Sequence, residues 1–150
     1  MTHPLPARVL KDVGRILRAD SGDTPRRFLL TSYAASLFRE AAEFLPARSS
    51  SFPHVVIAYS IKTNPLPELL DLARDTGMWA EAITQYEVAH AITHGITPEH
   101  TVLNGPGKWW PDRIKVAAYG AIFCDSLQEL RRLSKLVVSR KLETHCLGIR

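Results

Sequence analysis

The chain has 150 residues, of which 45% are hydrophobic and 23% charged, with a formal net charge of +4. That is about one globular domain, and the composition excludes a disordered or fibrous chain. Basic residues are scattered, densest at Arg131, Arg132 and Lys135. A nucleic-acid binder would gather them on one stripe, so no nucleic-acid partner is expected.

No run approaches the roughly 18 apolar residues of a membrane span, so no membrane partner is expected. The N-terminus lacks the apolar stretch of a signal peptide. Cys124 and Cys146 each fall inside an expected buried strand, which suits reduced thiols and a cytoplasmic location.

In chain order, Val9, Leu10, Val13, Ile16 and Leu17 recur at helical spacing. Ser21-Gly22-Asp23 reads as a break, and residues 25–31 carry a short strand, FLLT. Ser32 is placed to cap a helix running to about Ala42. The near-continuous apolar run of residues 54–61 reads as a strand buried on both faces. A helix follows over 67–75, with Pro67 early and Gly77 past its end. MWAEAIT is the next strand, and a helix over 85–94 stops at Gly95. TVLN is a third strand, Pro111 opens a helix that closes at Gly120, and AIFCD is a fourth strand. Ser126 and Glu129 read as a capping box for a helix with Leu127, Leu130 and Leu133 on one face. CLGI is a fifth strand.

Strands alternating with single helices predict a parallel α/β sheet. The even rhythm suits a β/α (TIM-type) barrel, and pattern alone leaves a doubly wound sheet open. Both folds keep their sites at the carboxyl ends of the strands.

Lys62 stands at such an end, where desolvation lowers an amine's pKa toward a usable nucleophile for a carbonyl. A lysine snorkelling out of the strand end is the bland alternative. Glu81 lies within the second apolar run, and Glu87 opens the next helix, where a charge favourable to the helix N-terminus is the better local reading. Asn104-Gly-Pro-Gly-Lys108 permits a tight turn with exposed amides, and a plain turn is the stronger local reading. His90 and His94, four apart, lack a third ligand, so no metal is expected. Trp109 and Trp110 are placed to cover a barrel rim.

Together AYSIKTNP, AEAITQYE, LNGPGK and the terminal LGIR resemble the fold-type III pyridoxal-phosphate (PLP) decarboxylases, the group of the diaminopimelate, ornithine and arginine enzymes. The resemblance runs from about Pro25 to Arg150. It implies that Lys62 holds PLP as an imine and acts as the catalytic lysine. It makes Glu81 and Arg150 cofactor-binding, with Asn64, Glu87 and Lys108 in support. Thr84 stands where the family usually has serine, and Glu81 where it most often has aspartate.

The implied activity is decarboxylation of a small-molecule amino acid of the basic or diamino class by a full-length homodimer. An alanine-racemase-like enzyme shares the barrel and lysine, but the NGPGK turn and the AEAIT stretch favour the decarboxylase branch. A non-catalytic PLP-binding barrel protein and an inert fragment are the other readings. The implied fold is the N-terminal part of a β/α barrel with about five βα units. Residues 1–32 would belong with a β-domain, and residues 33–150 would form the partial barrel. In that family the phosphate loop, the acidic partner of the pyridine nitrogen and the second subunit's residues follow the fifth strand. Residues 1–150 are thus expected to be an N-terminal portion that binds PLP poorly by itself.

Overall fold

The computed structural model describes residues 6–19, 29–43, 55–106, 118–139 and 143–150. It contains two compact units, Met1–Leu37 and Phe38–Arg150.

The first unit holds helix α1 (Ala7–Ala19) and the opening of α2 (Thr31–Glu43). The expected helical spacing is realised in α1, where Val9 is buried and Leu10 and Leu17 stay exposed. The FLLT strand is not formed at its described residues. Leu29 and Leu30 are irregular, Thr31 is already helical, and Phe28 lies outside the described residues. A strand needs a neighbour for its backbone groups; here the Leu30 carbonyl accepts the Ala34 N–H at 2.9 Å instead. The helix therefore starts before Ser32, which lies inside it and does not cap it.

The second unit is built on five strands: β1 (Ala58–Ser60), β2 (Trp79–Ala82), β3 (Thr101–Leu103), β4 (Ala118–Cys124) and β5 (Glu143–Ile149). All neighbours are parallel, and the spatial order is β1-β2-β3-β4-β5. A doubly wound sheet reverses its strand order at a switch point. Strictly sequential order has no such reversal and is the order of a β/α barrel. Helix α3 (Pro67–Asp75) joins β1 to β2, α4 (Gln85–Thr93) joins β2 to β3, and α5 (Leu127–Val138) joins β4 to β5. The helix expected from Pro111 falls largely on residues 107–117, outside the described residues. Its expected end does not hold, because Gly120 lies within β4.

The helices cover one face of the sheet. Ala80 and Ala82 of β2 are fully buried there, with Leu70 and Ala73 of α3 and Val88 and Ala91 of α4 in the same cluster. Small residues in β2 allow this close packing, while Trp79 and Glu81 alternate onto the other face and are half-buried. Positive φ at Gly77 (74°) and Gly95 (79°) lets the chain leave α3 and α4 at the expected positions.

The run 54–61 is far less strand than its composition suggests. Among its described residues Ala58–Ser60 pair in register with β2 at the sheet's edge, the Ile57 carbonyl accepts the Trp79 N–H at 2.9 Å, and Val55 and Val56 are exposed. With one described neighbour, β1 has a single ladder to hold it. Leu127 likewise is exposed, and the buried stripe of α5 runs through Leu130, Leu133 and Leu136. Cys124 is buried as expected, whereas Cys146, on the edge strand β5, is exposed; neither is in a disulfide. No described helix is long and apolar enough to cross a membrane.

Candidate active site

Because the strands are parallel, their carboxyl ends share one edge. Lys62 follows β1, Glu81 lies near the end of β2, Asn104 follows β3 and Arg150 follows β5.

Lys62 is the centre of a 3₁₀ turn, Ile61–Thr63, and not part of the strand itself. Fully buried Ile61 anchors the turn while Lys62 remains exposed. The turn is closed by Asn64, whose Oδ1 accepts the Leu66 N–H at 3.4 Å and whose carbonyl accepts the Tyr59 hydroxyl at 2.7 Å.

Glu81 is in register with Ser60 of β1 and Val102 of β3. Asn104 Nδ2 donates to Glu81 Oε1 at 2.8 Å. Asn104 Oδ1 accepts from Arg150 at 3.1 Å and from the Gly105 N–H at 2.9 Å. A carboxylate on one side and two donors on the other fix the orientation of this amide. Asn104 thus links the carboxylate to the guanidinium. In the sequence it ends the TVLN strand and opens the NGPGK turn, and its place at a strand's carboxyl end is the signal that marks it.

Burial pushes the Glu81 carboxyl up, but the nearby Ser60 hydroxyl, the Asn104 hydrogen bond and the charges of Lys62 and Arg150 outweigh it; by geometry the Ser60 hydroxyl makes no hydrogen bond among the described residues. The carboxyl is held below its ordinary range. Its charged form therefore stabilises the fold above the ordinary glutamate pKa of about 4.3. That contribution disappears as pH falls through the lowered value. Melting temperatures measured between about pH 6 and pH 3 should fall less steeply in Glu81→Gln than in the unaltered protein.

Glu87 takes the role the helix-terminus reading favoured. Its Oε2 accepts the N–H groups of Ile83 at 2.5 Å and Thr84 at 3.2 Å. Thr84 Oγ1 accepts the Glu87 N–H at 3.3 Å, closing a capping box on α4. The corresponding turn before α5 differs by one residue from expectation. Ser126 Oγ accepts the Glu129 N–H at 3.1 Å, but Glu129 Oε2 reaches back to the Asp125 N–H at 2.6 Å. Thr84→Ala should destabilise the protein by about 1 kcal/mol, read as a lowered unfolding midpoint with the site's cofactor affinity intact.

The structure thus joins Glu81 and Arg150 through Asn104, with the charge of Lys62 acting on Glu81, and engages Asn64 and Glu87 in local backbone bonds. Lys108, Trp109 and Trp110 lie outside the described residues. His90 and His94 meet edge to face at 4.9 Å. Their ring nitrogens face the Pro65 carbonyl (His90 Nε2, 2.8 Å) and Asp71 Oδ1 (His94 Nδ1, 3.0 Å). Among the described residues no three metal-ligating side chains cluster.

The chemistry of this group suits pyridoxal phosphate: a primary amine (Lys62) for an aldehyde, a guanidinium (Arg150) for an anion, and a carboxylate (Glu81) to balance charge. Val102, Ala121 and Cys146 occupy the same cross-sheet row as Ser60 and Glu81, so their side chains share that face. With Val56, Ala58, Trp79 and Phe123 they line a largely apolar concavity of about 770 Å³ that Lys62, Glu81, Asn104 and Arg150 do not line.

Comparison with known proteins agrees. Residues 39–148 match the family model described as pyridoxal-dependent decarboxylase, pyridoxal binding domain. Over 113 residues the chain is 25% identical to a diaminopimelate decarboxylase of Bacteroides thetaiotaomicron, covering 72% of this chain and 28% of that one. It shares the fold of a lysine/ornithine decarboxylase from Vibrio vulnificus, solved with putrescine (TM-score 0.62, 16% identity, 97% of this chain and 40% of that chain). It also shares the fold of the arginine decarboxylase of Paramecium bursaria Chlorella virus (TM-score 0.60, 17% identity, 93% and 47%). The chain spans less than half the length of each of these relatives. A barrel-ordered parallel sheet, a lysine at its carboxyl edge and a family match over most of the sequence agree: the chain belongs to the family of the pyridoxal-dependent decarboxylase pyridoxal binding domain, which it matches over residues 39–148.

Proposed function

We propose that this chain carries the cofactor-binding half of an amino-acid decarboxylase that acts on a basic or diamino acid, with Lys62 as the cofactor lysine. The observation that carries the reading is the group at the sheet's carboxyl edge, where the Lys62 and Arg150 charges act on a half-buried Glu81 that Asn104 holds in place. Pyridoxal phosphate, when bound, supplies an electron sink for the bond to the departing carboxylate.

The chain's own residues do the rest. Lys62 binds the cofactor through its Nζ, and the carboxylate of Glu81 stabilises positive charge beside it. Asn104 transmits the orientation of Arg150 to Glu81, so cation and carboxylate move as one unit. Asn64 shapes the Lys62 turn, Glu87 steadies the helix after Glu81, and Lys108, from the NGPGK sequence, adds a supporting cation. Residues 1–32 belong with a β-domain and residues 33–150 with the barrel. Cysteines Cys124 and Cys146, neither in a disulfide, support a cytoplasmic protein, and the family resemblance supports a homodimer.

The test is carbon dioxide release from lysine, ornithine, arginine and diaminopimelate, in the presence of pyridoxal phosphate, by the full-length enzyme of which this chain forms a part. Release from one of them is expected. A full-length enzyme that takes up the cofactor and releases carbon dioxide from none would overturn the proposal.

A further inference from the structure

The Lys62 turn is held from outside by two side chains that belong to neither the turn nor the Glu81 group. Tyr59 pairs in register with Ala80, on the helix-covered face, one residue before the Ser60–Glu81 row that lines the opposite face. From there its hydroxyl donates to the Asn64 carbonyl at 2.7 Å while its ring packs on Phe38 at a centroid distance of 5.4 Å. Burial pushes the Tyr59 phenol up, so the hydroxyl stays a donor.

The second holder comes from α4. His90 Nε2 lies 2.8 Å from the Pro65 carbonyl. A carbonyl only accepts, so this nitrogen carries the hydrogen. The ring is itself fixed by Tyr86, stacked at 6.0 Å, and by His94, edge-on at 4.9 Å. His94 is in turn tied through Nδ1 to Asp71 on α3 at 3.0 Å. Consecutive carbonyls, those of Asn64 and Pro65, are thus anchored to β1 and to α4.

We propose that Tyr59 and His90 are positioning residues that lock the turn carrying Lys62, so that the reactivity of its amine depends on both donors. The inference rests on the reading of Lys62 as the cofactor lysine. A 3₁₀ turn of three residues has poor internal hydrogen bonding and needs such external support. The restraint acts from the helix side, and the charge of Lys62 is felt on the other side, at Glu81. His90, whose spacing with His94 suggests a metal pair, acquires a purpose without one.

Three variants test this in the purified protein. Tyr59→Phe and His90→Phe remove one donor each and keep the rings, while His90→Gln keeps a donor. One readout is amide hydrogen exchange across residues 61–66. The other is labelling of Lys62 by pyridoxal phosphate and borohydride, relative to exposed Lys135 in the same sample. A hydrogen bond's net worth of about 1 kcal/mol corresponds to a change of roughly fivefold. Exchange should accelerate, and Lys62 labelling fall, by about that factor in each Phe variant; His90→Gln should recover most of the labelling. Unchanged exchange overturns the proposal, as does faster exchange with unchanged labelling. If the unaltered protein shows no preference for Lys62 over Lys135, the reading of the site fails, and the exchange arm alone still decides whether the two donors hold the turn.

Discussion

Lys62→Ala should abolish covalent capture of pyridoxal phosphate at this position and, in the full-length enzyme, lower decarboxylation by at least about a thousandfold, because the reacting amine is lost from its prearranged place. Lys62→Arg should be as inactive. It keeps the positive charge that holds the Glu81 carboxyl down, but a guanidinium, with a pKa above about 12, offers no free amine to a carbonyl. Lys62 is exposed, so both variants should unfold within about 0.5 kcal/mol of the unaltered protein. Comparing them separates charge from nucleophilicity. If Lys62→Arg retained substantial decarboxylation, the lysine would be acting only as a charge, and its assigned role would be wrong.

The largest expected effect on stability lies elsewhere, at Gly120. A Cβ there would fall within the van der Waals surfaces of the Trp79 ring and the Glu99 carbonyl oxygen. Side chains can turn aside; a backbone carbonyl cannot without shifting the chain before β3. Gly120→Ala should therefore cost about 3 kcal/mol or more, in the upper range of overpacking. Gly77→Ala is the informative control. Its Cβ would meet nothing within 4 Å, and only the φ of 74° opposes it, for a cost of about 1 kcal/mol. Denaturant unfolding of the two variants should rank them in that order. The reverse ranking would mean that β4 does not approach Trp79 and Glu99 as closely as described.

Gly120 also shows where sequence reading reaches its limit. A glycine after a helical stretch normally reads as a helix stop, and at Gly77 and Gly95 that local rule succeeds because each residue does adopt positive φ. At Gly120 the glycine serves a contact with residues some twenty to forty positions earlier, which no local pattern encodes. The same distinction runs through the fold. Helix α3 was legible because Pro67 and Gly77 punctuate it. The FLLT segment was misread because strand propensity says nothing about whether a partner strand lies beside it. β1 was overextended because an apolar run looks alike at the centre of a sheet and at its edge. Barrel order over doubly wound order needed the strand pairing itself.

For the site, Lys62 and Glu81 were legible from position and family motif together. Thr84 and Glu87 were legible as a pair, but what they form is a helix cap. Asn104, Tyr59 and His90 were not singled out for the site. Their roles depend on hydrogen bonds to Glu81, Asn64 and Pro65, and the partners only meet once the sheet is assembled.

The most direct measurement is to incubate the protein with pyridoxal phosphate, reduce with borohydride, and identify the modified residue by peptide mapping. A single principal label on Lys62, absent in Lys62→Ala, is the expected result. A principal label on any other lysine of the folded protein would contradict the assignment.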